Sequence, residues 1–370
     1  MKLKREFYRL PLQFDVARMQ QEIAQFTDAE WVPHHENFAG NSAIPLISVN
    51  GEFNNDFKGA MLPTSALLRC EYLQQVIASF GEVIGRTRLM RLDAGCEVPL
   101  HSDINHHWYK RVRVHIPIVT TEDVVFQCND KRVHMAAGDC WIFDSWKFHK
   151  VENNSDQTRI HLVVDFAGSS RFWAMVEQMD EQIATSAKFT HYQPQHTVNI
   201  RTEKHNYQII MSPGEVELLV NDLVADVQSC QLNTTPIKAS FSQLLKGFVA
   251  DWRELWFLYG EENTGWPLFH HLRDETLKQA SQYDKEVFIS NGTSAVKILA
   301  QLIIGPSMNV ALAPQHTISS VEKSMDTPLP DKRIGTTTGI PIGLTRNSPC
   351  YCGSGDKYKN CHGKNNLVLD

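Results

Sequence analysis

The sequence predicts an α+β protein with a β sandwich or barrel near its centre, helices on either side and a short metal-binding tail. Three observations predict it. Between residues 85 and 167, short β-rich runs are separated by Gly, Asp and Asn. Helical periodicity occupies the stretches before and after. Finally, three cysteines and a histidine crowd into residues 350–362, whereas the other five cysteines are spread over the rest of the chain. A chain of 370 residues suggests two or three domains, and 42% hydrophobic content suffices for sizeable cores.

Composition narrows the function. A net charge of −6 argues against general nucleic-acid binding. No window of 18 apolar residues offers a membrane span, and MKLKREFYRL lacks the apolar run of a secretory signal. Cys70, Cys96, Cys128, Cys140 and Cys230 show no disulfide-framework spacing, as expected of a reducing cytoplasm.

In chain order, residues 14–26 read as a helix, as do residues 64–80, where Leu67, Leu68, Tyr72, Val76 and Ile77 recur at helical spacing. The intervening GNSAIPLISVNGEFNNDF reads as loop with room for one strand. In YKRVRVHIPIV, Val112, Val114, Ile116 and Ile118 fall on one face, and Arg111, Arg113 and His115 on the other. RIHLVVDF repeats the arrangement: Ile160, Leu162 and Val164 oppose Arg159, His161 and Asp165. A polar strand face in mid-domain suggests a lined cavity. VVFQC, RVHM and CWIF supply further strands. Residues 171–305 return to helices, the first opened by Ser212, Pro213 and Glu215 as a capping box with proline at the first helical position. His270 and His271 are adjacent, so they point apart on a helix and read as structural. Residues 306–346, rich in Pro, Gly and Thr, read as a linker.

The tail sequence NSPCYCGSGDKYKNCHG places Cys350, Cys352, Cys361 and His362 at C-x-C-x8-C-H spacing. Three thiolates and an imidazole suit tetrahedral Zn²⁺, and four protein ligands make a closed, structural site. Gly353 and Gly355 allow the tight turn. So small a segment takes its folding energy from the metal. It resembles the SEC-C motif, the zinc-binding tail of the bacterial preprotein translocase ATPase, which implies a docking element. Lys357, Lys359 and Lys364 make it locally basic, suited to an acidic protein or ribosomal surface.

The catalytic candidate lies in the β-rich segment. His101 and Asp103 project to one side of an extended chain and can share a metal. An H-x-D triplet is expected about once by chance in such a chain, so its surroundings decide. His149, after the CWIFDS strand, completes two histidines and one carboxylate, the facial triad of non-haem Fe(II) oxygenases. Arg159 is placed to pair with a carboxylate entering the cavity, and His115 to donate beside it. Arg113 suits either a substrate carboxylate or a solvated face. His106, His107 and Trp108 suit either substrate reading or a surface loop.

Together LDAGCEVPLHSD, RVRVHIPIV, AAGDCWIFD and FHKVENNSDQTRIHLVVDF resemble the aspartyl/asparaginyl β-hydroxylase family of Fe(II)/2-oxoglutarate oxygenases. The resemblance implies a double-stranded β-helix, a cupin-like jelly roll, with core 86–166. It implies iron on His101 and His149, and 2-oxoglutarate carboxylates on Arg159 and His115. Animal peptide hydroxylases of the family have Gly where this chain has Asp103, and a hydroxyl residue where it has Met90. About three extra residues around INHHW lengthen the loop between His101 and His115. A carboxylate ligand favours hydroxylation over halogenation.

The expected organisation is an oxygenase domain at 1–170, a helical domain at 171–305, a linker at 306–346 and a zinc motif at 347–364. The expected activity is hydroxylation of an amino acid or of an Asp/Asn-type residue in a peptide or protein. The readings set against it are a non-catalytic β-helix scaffold recruited through the tail, and Mn or Zn chemistry without 2-oxoglutarate.

Overall fold

The computed structural model of the chain describes residues 1–33, 38–181 and 186–313. The zinc-motif residues Cys350, Cys352, Cys361 and His362, and all but the first residues of the expected linker, lie outside these. The chain divides into two compact units, Met1–Tyr207 and a second beginning at Gln208. Residues 171–207 thus belong with the β-rich unit, past the boundary expected at 170.

The first unit runs β1 (Phe7–Phe14), α1 (Val16–Ile23), β2 (Val32–Pro33), β3 (Asn41–Val49), β4 (Met61–Pro63), α2 (Ser65–Leu68), α3 (Glu71–Ser79), β5 (Ile84–Leu92) and β6 (Glu97–His101). It continues through α4 (His106–Lys110), β7 (Val112–Val119), β8 (Val124–Cys128), β9 (Lys131–Val133), β10 (Asp139–Phe143), β11 (His149–Asn153), β12 (Arg159–Phe166), α5 (Ser170–Asp180) and β13 (Lys188–Thr190). The strands form two sheets. The larger has the order β13-β1-β10-β7-β12-β5-β3-β2, with β4 on β3, and the smaller β6-β11-β8-β9. From β5 to β12 the chain passes repeatedly from one sheet to the other, which is the winding of a double-stranded β-helix. The expected fold with flanking helices is therefore observed.

Strand alternation explains the layering. Val112, Val114, Ile116 and Ile118 of β7, with Leu162, Val164 and Phe166 of β12, join the helix-side core that includes Met19 of α1 and Leu73, Val76 and Ile77 of α3. The opposite face of the large sheet looks toward the small sheet, where Phe126, Cys128, Phe143 and Val151 form a second apolar cluster. Both faces of β7 and β12 are buried, so the charged residues of their inner face are enclosed.

Three expectations for the first 85 residues change. The helix expected at 14–26 is shorter, because the chain up to Phe14 is a strand and Asp15 caps α1 by accepting from Arg18 N–H. The helix expected at 64–80 breaks at Cys70, whose side chain makes no cap. The buried Glu22 carboxylate of α1 instead accepts the Tyr72 and Leu73 amides at 2.7 and 3.0 Å, closing the start of α3. The segment read as mostly loop contains β3, a strand of nine buried residues in the large sheet. Covered on both faces, it shows no alternation.

In the second unit α6 (Pro213–Ser229), α7 (Thr235–Tyr259), α8 (Trp266–Ala280) and α9 (Ala295–Ile298) enclose Leu219, Leu223, Leu245, Phe248, Trp252 and Phe269. Ser212 caps α6 through Glu215 N–H, as expected. The Ser212 N–H, however, donates to Gln208 Oε1 at 2.8 Å, while Gln208 Nε2 donates to the Glu215 carboxylate. The first residues of the expected linker are structured: Met211 N–H donates to Ser307 O and Asn309 N–H to Ile209 O.

Asn153 fastens the small sheet to the large one. Its Nδ2 donates to Leu92 O, Asp93 O and Gln157 O at 3.1, 3.0 and 2.8 Å. Asn153→Ala strips these buried carbonyls of their donor and should destabilise the first unit by about 2–3 kcal/mol, read as a lower urea midpoint.

Candidate active site

Strands β6 and β11 pair antiparallel with His101 directly opposite His149. The ring centroids are 4.2 Å apart. Beyond His101 the chain leaves the strand, and Asp103 N–H donates to Ser145 O at 2.9 Å, turning the carboxylate back toward both rings. Asp103 Oδ1 lies 4.0 Å from His101 Nε2, and Oδ2 3.8 Å from His149 Nε2. Ligand atoms of the three residues all lie within 4.8 Å of one another. His101 Nδ1 is 2.7 Å from Pro99 O and His149 Nδ1 is 2.9 Å from Lys147 O. Each carbonyl holds the proton on Nδ1 and leaves Nε2 as the lone-pair donor.

The electrostatics suit a cation. Burial lowers the His149 pKa to about 4, so its ring is neutral and ready to ligate. Burial alone would raise the Asp103 carboxyl, but Arg113 and the two histidines outweigh it and hold the group below the ordinary carboxylate range. Asp103 Oδ2 is buried and has Arg113 Nη1 3.0 Å away as its cationic neighbour. Two oriented imidazoles and a charged carboxylate fit a divalent first-row ion with open coordination positions.

Beside this cluster, Phe126 and Phe143 each contact both His149 and His115. His115 Nδ1 lies 3.4 Å from His161 Nδ1, and Arg159 Nη2 lies 2.7 Å from the same His161 nitrogen. Burial, and then the Arg159 charge, hold both histidines neutral, far below the ordinary imidazole value. Burial lowers the Arg159 pKa to about 9, so it stays cationic near neutrality. No carboxylate pairs with Arg159 among the described residues. Arg159 Nε, His115 Nε2 and His161 Nε2 are buried without partners. The structure thus brings His115 and Arg159 together, and adds His161. The sequence placed His161 on the same strand face but gave it no role. Met90 is the β5 residue paired with His161 in register.

A second basic group lies on the inner face. Arg86 and Arg88 of β5 and Arg113 of β7 are clustered near Asp165 of β12. Arg113 Nη1 is 3.0 Å from Asp103 Oδ2, and its guanidinium lies over the Trp108 ring at 3.8 Å. Arg86 lies over Phe57 at 4.1 Å. Arg113 is therefore an enclosed residue, not part of a solvated face. The stretch His106–Trp108, read as loop, forms α4 capped by Asn105, and its His107 and Trp108 are buried. Arg111 points elsewhere and is held by Glu203 through two 2.7 Å contacts. Arg86, Arg88 and Phe57 were not read as site residues. Arg86 and Arg88 alternate in IGRTRLMRL, the signal by which they were legible.

The fold is thus a double-stranded β-helix that encloses a His/Asp/His cluster among buried arginines. Residues 45–168 match the profile of the family described as Aspartyl/Asparaginyl beta-hydroxylase, and residues 346–364 match the SEC-C motif. Both resemblances seen in the sequence are therefore borne out over those segments. The L-proline cis-4-hydroxylase of Rhizobium meliloti (strain 1021) is 23% identical over 183 residues, 47% of this chain and 65% of that protein. The protein translocase subunit SecA of Borreliella burgdorferi (strain ZS7) is 85% identical over 21 residues, 6% of this chain and 2% of that protein. The chain spans less than two thirds of either relative. Among solved structures, a 2OG-Fe(II) oxygenase family oxidoreductase from Burkholderia pseudomallei aligns with TM-score 0.31 and 14% identity, covering 42% of this chain and 82% of that one. Among the described residues no helix is long and apolar enough to cross a membrane.

Burial lowers the pKa of His107 to about 3 and of His149 to about 4, whereas the unfolded chain protonates both near 6.5. Between these values the unfolded state binds more protons, so their contribution is complete above pH 6.5 and is lost as pH falls toward 4. Two protons correspond to a slope of about 2.7 kcal/mol per pH unit. The urea midpoint of metal-stripped protein should fall steeply from pH 7 to pH 5, and His107→Gln should flatten that fall.

Proposed function

We propose that the first unit is an Fe(II)- and 2-oxoglutarate-dependent dioxygenase that hydroxylates an amino acid, free or as an Asp/Asn-type residue of a peptide or protein. One observation carries the reading: Arg159 is 5% exposed, has no carboxylate partner among the described residues, and stands beside a His/Asp/His cluster. Enclosing a guanidinium is costly unless a partner arrives, and a dicarboxylate that also reaches the metal meets that need. His101, Asp103 and His149 would hold the metal.

Fe(II), with 2-oxoglutarate and O₂, supplies oxidation in which one oxygen atom enters 2-oxoglutarate, released as succinate and CO₂, and the other replaces hydrogen on a substrate carbon. The protein binds and orients. Arg159 takes the far carboxylate of 2-oxoglutarate through its planar fork. Neutral His161 accepts from Arg159 and fixes its plane. His115 Nε2, buried and unpartnered, is available to the same ligand. Phe126 and Phe143 exclude water between the two ligand groups. On the other side Arg86, Arg88 and Arg113 outnumber Asp165, which favours a substrate carrying an anionic group. A purely structural scaffold has no use for three converging ligands and an unpaired arginine.

The tail is a separate matter. Cys350, Cys352, Cys361 and His362 would hold a structural Zn²⁺ in a docking element for a protein or ribosomal partner. The motif match and the ligand set support this reading.

Anaerobic Fe(II) and 2-oxoglutarate should give a visible charge-transfer band that is absent in His149→Ala. Arg159→Ala should keep iron and weaken 2-oxoglutarate binding about 100-fold, the worth of two charge-assisted hydrogen bonds. Iron bound without any band would point to another metal chemistry. Removing residues 345–370 should release one equivalent of zinc and leave the band intact; loss of the band would refute the separation of roles.

A further inference from the structure

The second unit has an open groove of about 660 Å³ between α7 and α8. Helix α7 lines it with Leu244, Gly247, Asp251, Glu254 and Leu255, and α8 with Leu268, Leu272 and Glu275. On each helix these residues recur at spacings of three and four, so two facing stripes run side by side for about 17 Å. Leu244, Leu255 and Leu272 are half-buried and Leu268 is exposed, so the groove offers apolar surface that the unit's own core leaves uncovered. Its charge is one-sided. Asp251 and Glu254 are exposed carboxylates, and no Lys or Arg lines the groove. Glu275 has Lys278 beside it at 3.5 Å. Gly247 is an independent sign. It sits in the middle of the 25-residue α7, and a Cβ built on it would meet nothing within 4 Å. Glycine in mid-helix weakens the helix, and no neighbour among the described residues requires one here. The missing side chain instead leaves the helix backbone open along the groove.

We propose that this groove docks a basic amphipathic helix of a partner protein, with its apolar face between α7 and α8, a small residue against Gly247, and Lys or Arg beside Asp251 and Glu254. An apolar stripe about three turns long matches the i, i+3, i+4, i+7 anchors of a helix laid in a groove. Carboxylates at the exposed positions match its flanking cations. The same charges disfavour two other occupants. A second copy of this chain, with net charge −6, would bring like charge to the groove, and an anionic lipid surface would be repelled. The docking site and the oxygenase reading stand independently of each other.

The test is fluorescence anisotropy of a labelled peptide titrated with the full chain at physiological salt. The peptide, about 18 residues long, carries leucines at helical spacing, a central alanine on the same face and flanking lysines. Its control has the same composition, shuffled so that the leucines share no face. The helical peptide should bind saturably and about tenfold more tightly than the control. Gly247→Gln supplies a good helix former and fills the groove, so it should weaken binding about tenfold while raising the melting temperature. Asp251→Asn with Glu254→Gln should weaken binding about tenfold and flatten its salt dependence. No saturable binding, equal binding of the control, or unaltered affinity in either variant would overturn the proposal. So would a dimer in sedimentation that Gly247→Gln dissolves, which assigns the groove to a second copy. A lowered melting temperature of Gly247→Gln with no peptide bound would overturn it too, assigning the groove to the chain's own end.

Discussion

A guanidinium group enclosed between two β sheets cannot readily shed its charge, so something must meet it. That constraint organises the first unit. Arg86, Arg88, Arg113 and Arg159 all project from the large sheet toward the small one and are largely shielded from water. The fold spends its own carboxylates sparingly among them. Asp103 is committed to the two histidines as well as to Arg113, and Asp165 is shared among Arg113, Arg86 and His107 at 3.7–4.0 Å. The surplus positive charge is where ligands are expected. It falls into two places, one around Arg159 and one around Arg113, on either side of the His/Asp/His cluster.

The neutral groups matter as much as the charged ones. Burial keeps His107, His115, His149 and His161 unprotonated, which avoids adding four more positive charges to the same space. It also fixes their use. His149 is left with a lone pair, and His161 accepts from Arg159. Phe126 and Phe143 pack against one histidine of each pair, His149 and His115.

The inner face of the barrel was legible because its chemistry follows strand periodicity. RVRVHIPIV and RIHLVVDF each alternate apolar and cationic residues, and the residues that alternate together were found together. His101 and His149 were legible through the spacing around them. Other elements were not. Strand β3 is apolar at nearly every position because helices cover one face and the sheet interior the other, so no period betrays it. The break at Cys70 depends on Glu22, about fifty residues away. Arg86 and Arg88 do alternate in IGRTRLMRL, but nothing in that stretch alone distinguishes an enclosed arginine pair from a solvated one. Phe57 lies in a polar loop, and only the fold brings it over Arg86.

The cross-strand placement of His101 and His149 has a further meaning for the fold itself. Strand β6 is the edge of the small sheet, paired with β11 alone and through an irregular register. An ion shared by those two histidines would clasp the edge strand to its neighbour, much as a crosslink would. On that reading, metal supply governs more than turnover. Without such an ion, the edge strand that carries His101 would be held to β11 by its backbone pairing alone, and an under-held edge is the kind of backbone that pairs with another copy.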